Sequence, residues 1–506
     1  MRMFAQVSSA DAAALVTQLS AIDVTLVNEL FTATMASVAA EGSSSAASAL
    51  TPARDVTRSV DALPEAAAAW TDAGLAAVAR GAVGVIILAG GQGTRLGFDK
   101  PKGQYDLALP SHKSLFQLQA ERITRVRALA AAATGKPLAS VSLPLYVMTS
   151  PMTDADTRSF FAAHSNFGLP EGEVQFFCQG TLPCLDFDGR IMLESGARVA
   201  EAPDGNGGIY RGLHLSGAVA NMRSRGVVGV HVFAVDNAIV RAADPAFIGY
   251  CLSRGADVGS KVVAKAGPHE KVGVLCLRDG AYSVVEYSEM DKATAELRDE
   301  RSGALAFNAG NVCIHYYSTH FLETRCSPSA LPKVYHVARK AIPYAHPETG
   351  ETMTKAEISA VASATGGVTG VKLESFIFDV FPMATSMAVL EVPRESEFAP
   401  VKNAPGAADD SPDTARALLR AAHARWLAAA GALLPPDGGA VEVSPLVSYA
   451  GEGLGALAGV TLTSPSLIVA AGEPPLAGEE GSAAAAVAPG VTHGMAGAVH
   501  VYRVSN

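Results

Sequence analysis

Apolar and polar positions change texture three times along the chain. Ala14, Leu15, Leu19, Ile22, Leu26 and Leu30 recur near a period of 3.6, which predicts an amphipathic helical region over roughly the first 75 residues. The polar stretch EGSSSAASALTPA, Glu41–Ala53, interrupts it and reads as a loop. From about Ala82 the pattern becomes short and continuous. Val83, Val85, Ile86, Ile87 and Leu88 form an apolar run that ends in Gly90-Gly91, as expected of a strand buried on both faces of a parallel sheet. Runs of the same kind follow at Leu143–Met148, Val227–Val235 and Val272–Leu277. Between them, Ser114 with Gln117 three residues on has the spacing of a capping box, and Leu115, Leu118, Ile123, Val126 and Leu129 give the helix it opens an apolar stripe. Strand, glycine loop, helix and strand again predicts an α/β protein with an open, doubly wound sheet. Beyond Pro400 come a turn-rich acidic linker (APGAADDSPD, Ala404–Asp413), an Ala-rich helix at Ala415–Ala430, and short strands with turns, with a low-complexity loop at Glu479–Ala488. No repeat of fixed period is present. The boundaries expected are a helical N-terminal domain at 1–78, a central α/β domain at 79–400, and a small C-terminal domain at 401–506.

Composition narrows the classes. The 506 residues are 49% hydrophobic, enough for a large core, and only 17% charged, with a net charge of -10. An acidic balance argues against a general nucleic-acid binder, which would carry a basic face. A mean hydropathy of +0.22 raises the question of a membrane. The most apolar stretch, Gly81–Gly91, is only about half the length a spanning helix needs. The first residues, MRMFAQVSSADAAALVTQL, lack a continuous apolar signal core. The expectation is a cytoplasmic protein with no membrane partner. Cys178, Cys184, Cys251, Cys276, Cys313 and Cys326 form no C-x-x-C pair and have no histidine cluster at zinc spacing, so they read as free, buried thiols.

The chemistry concentrates at LAGGQGTRLGFDKPKG, Leu88–Gly103, directly after the first predicted strand. Gly90, Gly91 and Gly93 remove side chains where backbone N–H groups could close on phosphate oxygens. Arg95 and Lys102 supply the charge a phosphate requires. The glycine spacing is neither the dinucleotide fingerprint nor a P-loop, since no G-x-G-x-x-G and no Gly-Lys-Ser/Thr occurs here. That weakens a dinucleotide oxidoreductase as an alternative.

LAGGQGTRLG followed by PKGQYDLALPSHKSLFQLQAERI resembles the signature of eukaryotic-type UDP-N-acetylhexosamine pyrophosphorylases. The resemblance continues through APDGNGGIYRGL, HVFAVDN, VEYSEM, FNAGN, KLESFIFDVFP, EFAPVKNA and VSPLVSYAGEGL, covering roughly Leu88 to Leu454. It implies a Rossmann-like catalytic domain that transfers uridylyl from UTP to N-acetylglucosamine 1-phosphate with Mg²⁺ (Mn²⁺ as an alternative). Another hexose 1-phosphate, of N-acetylgalactosamine or glucose, is the rival substrate. Small molecules are then the partners, and a monomer or weak homodimer is expected.

Each block also has its own reading. Three glycines and an Asn in PDGNGG, Pro203–Gly208, make a turn. The resemblance puts Leu88, Pro203, Gly205, Asn206 and Gly207 in the substrate-binding set, and has Gln179 read the uracil edge, since an amide offers both a donor and an acceptor. Cys178 stands where the family usually has a second Gln. Asp236 ends an apolar strand, where a hard carboxylate overhangs the crevice and suits Mg²⁺. Glu286 and Asn311 lie among strand formers, and the resemblance assigns them to hexose hydroxyls and the N-acetyl region, with Gly273 leaving space beside the sugar. Phe376 and Phe378 alternate on one predicted strand face and read as core, though the resemblance includes them in the substrate-binding set. Lys372 and Lys402 are, singly, ordinary surface charges, and become phosphate clamps with Arg95 and Lys102 only through the resemblance.

Overall fold

Val83–Leu88 is buried at every position, and it lies in the interior of a sheet with a helical layer on each face. The computed structural model describes residues 8–41, 49–53, 57–60, 63–346, 351–361, 368–436, 439–477, 479 and 485–505. The main path of the sheet runs Thr57–Ser59, Met387–Glu391, Val258–Ala264, Ala309–Ser318, Gly229–Ala234, Val83–Leu88, Leu145–Thr149, Val174–Cys178. All neighbours on it are parallel except Ala309–Ser318, which runs antiparallel to both of its partners. From Val83–Leu88 the chain winds one way to Val174–Cys178, then returns to pair Gly229–Ala234 on the opposite side of the first strand. The strand order therefore reverses between Val83–Leu88 and Gly229–Ala234, and a crevice opens beyond their carboxyl ends. This is the doubly wound, mostly parallel architecture that the run pattern predicts.

Alternation along the strand builds two cores, because successive side chains leave opposite faces. Val83, Val85 and Ile87 join Phe116, Ile123 and Phe247 in one layer, while Ile86 and Leu88 join Tyr146, Ile209 and Tyr317 in the other. The helix Leu115–Thr134 covers the first layer. Ser114 Oγ accepts the Gln117 N–H at 3.2 Å, but the Gln117 side chain turns forward to Glu121 at 2.9 Å, so only half of the capping box forms. Pro64–Ala79 and Pro245–Ser253 pack so closely that a Cβ on Gly74 would stand 1.9 Å from the Pro245 carbonyl oxygen. A side chain there would separate the helices.

The structure revises several expectations. The N-terminal periodicity spans two helices, Ser9–Ser20 and Val24–Glu41, set about 60° apart around Ile22 and Asp23. No single helix among the described residues is long and apolar enough to cross a membrane. This bent pair passes such a test only by length and composition, and its Val27 and Leu30 are buried with Leu185, Val371 and Leu373. The Val272–Leu277 run becomes Val274–Arg278, but in an antiparallel hairpin with Ala281–Val285 rather than a parallel strand. Of the Glu41–Ala53 loop, residues 42–48 lie outside the described residues, while Leu50–Pro52 pairs with the Val274–Arg278 strand. In the Glu479–Ala488 segment, residues 480–484 lie outside the described residues, and Ala485–Ala488 is a strand, not a loop.

The C-terminal region pairs the helix Pro412–Ala429 with a five-stranded sheet ordered Val441–Val443, Ser466–Ala470, Val499–Val504, Val491–Ala496, Ala485–Ala488. A buried polar cluster ties it to the central region. Lys113 Nζ lies 2.7 Å from Glu121 and 3.2 Å from Glu473, and Ser111 Oγ donates to Glu442 at 2.6 Å.

Candidate active site

The glycine loop closes on itself at the carboxyl end of Val83–Leu88. The Lys102 N–H donates to the Gly91 carbonyl at 3.1 Å, the Gly93 N–H to the Lys100 carbonyl at 3.0 Å, and Ser150 Oγ to the Gly90 carbonyl at 2.8 Å. Nothing stands within 4 Å of where a Gly91 Cβ would be, so the loop presents an open face there. Gly93, by contrast, is buried against Phe98, whose ring and carbonyl would meet a Cβ at 2.7–2.8 Å. Arg95 lies exposed on the short turn Thr94–Leu96 and makes no ion pair among the described residues. The Leu88 side chain is a core residue, and its backbone alone borders the loop.

Beside the loop, the residues expected around the base come together. The Gln179 side-chain oxygen is 3.0 Å from the Cβ position of Gly90. Thr181–Pro183 pairs with Glu201–Pro203, and the Asp204 N–H donates to the Gly180 carbonyl at 3.1 Å, which brings Pro203, Gly205, Asn206 and Gly207 to Gln179. Gly205 has φ +89, and a Cβ on it would lie 2.2 Å from the Ser375 carbonyl oxygen. Close approach of the chain at Ser375 is thus what demands glycine here. Asn206 Oδ1 accepts the Ile377 N–H at 2.9 Å, so this amide oxygen holds the neighbouring turn. Asp204, which sequence reasoning passed over, is buried with one carboxyl oxygen unpartnered, and burial pushes it up to about 7.

A second group assembles across the switch point. Lys102 Nζ stands 3.3 Å from Asp236 Oδ2, with side chains 17% and 18% exposed. The Val401 N–H donates to the Asp236 carbonyl at 2.9 Å, which sets Lys402 beside Asp236. Asn237 secures that arrangement. Its Nδ2 donates to the Glu397 carbonyl at 2.7 Å, and its Oδ1 accepts the Ala399 N–H at 3.0 Å. Lys402 also reaches Asp410, 3.8 Å away. Cys313, near Asp236 and Lys402, has its thiol pushed up to about 12 by burial first and by Asp236 next, so it is a neutral neighbour, not a nucleophile. Lys372 lies in Gly370–Glu374, close to Cys184, and makes no ion pair among the described residues.

The third group forms where Ala309–Ser318 is bulged. A register shift opposite Lys261 and Val262 leaves Cys313 at φ +55, and the Asn311 N–H donates to the Gly273 carbonyl at 2.8 Å. Glu286 Oε1 fills the space beside Gly273, 2.8 Å from its Cβ position. Burial first, then Glu289, hold the Glu286 carboxyl above its usual range, against the opposing pull of His336 and Lys402. Phe376 and Phe378 do not lie on a strand. The strand ends at Glu374, because the following residues must turn to meet Gly205, Gly207 and Asn206. Phe378 is core, while Phe376 is half-buried and stacks on His336, centroids 4.2 Å apart. His336 carries no sequence signal, and Asp379 lies within the KLESFIFDVFP block without a role assigned to it.

Among the described residues, no three or more His, Cys, Asp or Glu gather to hold a metal ion. A single hard carboxylate at Asp236, beside a loop open to phosphates, fits a Mg²⁺ that takes most of its ligands from substrate oxygens and water. A cavity of about 330 Å³ between Pro52, Leu275 and Leu305 contains none of these residues. The chemistry lies in the open crevice instead.

A doubly wound sheet with a glycine loop, a lysine and a carboxylate at its switch point defines a nucleotide-binding α/β protein. Residues 28–452 match the family model described as UTP–glucose-1-phosphate uridylyltransferase, and the chain belongs to that family of nucleotidyltransferases. It is 46% identical over 395 residues to UDP-N-acetylglucosamine diphosphorylase 1 of Arabidopsis thaliana, covering 77% of this chain and 74% of the relative. It is 46% identical over 411 residues to UDP-N-acetylhexosamine pyrophosphorylase-like protein 1 of Homo sapiens, covering 77% and 78%. The crystal structure of the uridine diphosphate N-acetylglucosamine pyrophosphorylase from Trypanosoma brucei, in complex with inhibitor, is similar at a TM-score of 0.77 and 32% identity, covering 89% of this chain and 90% of that one.

Proposed function

We propose that this chain is a uridylyltransferase that makes UDP-N-acetylglucosamine and pyrophosphate from UTP and N-acetylglucosamine 1-phosphate. The observation that carries the reading is the approach of Lys102, Asp236 and Lys402 at the crevice where the strand order reverses. The relatives named above supply the substrate class.

A phosphate oxygen of the sugar phosphate attacks the α-phosphorus of UTP. The new P–O bond forms as the α–β bridging bond breaks, and pyrophosphate leaves with that electron pair. The attacking phosphate is already ionised, so no strong general base is needed. The barrier lies in bringing two anions together, which cations and fixed geometry lower. Gly90 and Gly91 admit the triphosphate to the loop backbone, and Gln179 reads the uracil. Lys102 and Arg95 serve the leaving pyrophosphate, and Lys402 serves the attacking phosphate. Lys372 is assigned to that phosphate on resemblance alone. Glu286 and Asn311, beside Gly273, receive the hexose. When bound at Asp236, Mg²⁺ or Mn²⁺ supplies charge neutralisation on the phosphates.

The family description, which names glucose 1-phosphate, keeps a second sugar in view. The test is pyrophosphate release from UTP with a panel of sugar 1-phosphates, with and without Mg²⁺. N-acetylglucosamine 1-phosphate is expected to give the highest kcat/KM, and release is expected to stop on chelation. A preference for glucose 1-phosphate would transfer the assignment to that sugar. No release with any sugar would overturn it.

A further inference from the structure

The acidic stretch Ala404–Asp413 has the composition of a linker, yet it folds back on Lys402. The Asp410 carbonyl accepts two N–H groups, from Lys402 at 2.7 Å and from Asn403 at 2.9 Å. Asn403 Nδ2 donates to the Asp409 carbonyl at 3.0 Å, and Asp413 Oδ2 accepts the Gly406 N–H at 2.7 Å. These bonds close the stretch into a loop. Its far end is fixed by the helix Pro412–Ala429, where the buried Ser411 forms a reciprocal cap with Thr414. Asp410 has φ +49, a left-handed conformation that Gly, Asn and Asp adopt at the least cost. From there its Oδ2 lies 3.8 Å from Lys402 Nζ, and the Phe398 ring centroid lies 5.5 Å from the same nitrogen. With its side chain 46% exposed, Lys402 is not packed in place, so these two contacts limit its rotamers while the rest of the ammonium stays open to a ligand.

We propose that Asp410 is a positioning residue for Lys402: the folded-back loop fixes the lysine backbone, and the Asp410 carboxylate holds the ammonium at the crevice, ready for the sugar phosphate. The proposal rests on the uridylyltransferase reading and deepens it. It makes Asp410 act through Lys402 and not on substrate, since a second anion would by itself repel a phosphate. A partly exposed contact of this kind is worth up to about fivefold in a rate. The effect belongs to the sugar phosphate, which Lys402 serves, and not to UTP.

The experiment measures kcat and both KM values for wild type, Asp410→Asn and Asp410→Gly in pyrophosphate release from UTP and N-acetylglucosamine 1-phosphate. Asn and Gly both accept the left-handed backbone and keep its carbonyl, so each removes the carboxylate and leaves the turn. In both variants kcat/KM for the sugar phosphate should fall about three- to fivefold, with the KM for UTP changed far less. Adding Asp410→Asn to Lys402→Gln should cause no further loss, because the lysine it positions is gone. Wild-type kcat/KM in either single variant, as expected of a residue that only makes the turn, overturns the proposal. A rise in kcat/KM, the sign that a repelling anion has been removed, overturns it too. The same fold loss in the wild-type and Lys402→Gln backgrounds overturns it by showing that Asp410 acts without Lys402. Should neither single variant fold, the carboxylate serves folding and the proposal falls. All of these outcomes leave the uridylyltransferase reading intact, whereas a wild-type chain that forms no UDP-sugar at all overturns both.

Discussion

Lys102 Nζ lies 3.3 Å from Asp236 Oδ2, although the two residues are 134 positions apart in the chain. The contact spans the two strands between which the sheet reverses its order. Both side chains keep some contact with solvent, so the pair itself adds little to stability. Lys102→Ala should therefore lower kcat about a hundredfold, the scale of losing one preorganised charge, while changing unfolding free energy by less than about 1 kcal/mol. Steady-state kinetics with a urea melt of the same sample measures both. Near-normal turnover would remove Lys102 from the phosphate site.

Gly91 and Gly205 should separate access from packing. A Cβ at Gly91 meets open space, whereas one at Gly205 meets the Ser375 backbone from a left-handed conformation. Gly91→Ala should leave stability within about 0.5 kcal/mol yet cut turnover, because it fills the loop's open face. Gly205→Ala should cost about 2–4 kcal/mol, visible as a lower Tm. Equal Tm values for the two variants would contradict this packing argument.

Asp204 should make stability fall with rising pH. Its folded value of about 7 lies above its ordinary 3.8, so between those values the folded chain holds a proton the unfolded chain has released. Unfolding free energy then declines from about pH 4 to about pH 7 through this group. Asp204→Asn has no proton to lose and should be about 1–3 kcal/mol more stable than wild type at pH 8, with the gain shrinking towards pH 5. Parallel stability–pH curves for the two proteins would refute the assignment.

Asn237 should matter to catalysis without touching substrate. Its amide binds the Glu397 carbonyl and the Ala399 N–H, both within the segment that leads to Lys402. Asn237→Ala leaves those buried groups unpartnered and should cost about 2–3 kcal/mol. Lowered kcat in samples confirmed as folded by circular dichroism should accompany it. Unchanged kcat would mean that Lys402 keeps its place without this clamp.

Much of the architecture is legible in local pattern. The Val83–Leu88 strand and the start of the helix at Ser114 read correctly, because each rests on interactions within a few residues. The break at Ile22, the antiparallel hairpin at Val274–Arg278 and the turn carrying Phe376 do not, because partners elsewhere decide them. KLESFIFD alternates like a strand, yet Asn206 and Gly205 pull the chain out of the ribbon after Glu374. The pairing of His336 with Asp379 left no trace in the pattern, since a histidine and an aspartate far apart in the chain become a pair only when two segments meet.

The residues alone determined that a glycine-rich loop follows a buried strand, and they carry the family's ordered blocks from Leu88 to Leu454. Which of the cationic candidates share a site was decided only by tertiary structure. The reversal of strand order brings Lys102 to Asp236, the Asn237 clamp adds Lys402, and Lys372 sits on the separate ribbon Gly370–Glu374. The reason is physical: composition and spacing act over a few residues, whereas electrostatic contact needs approach within a few ångströms, and only the packed sheet sets those distances.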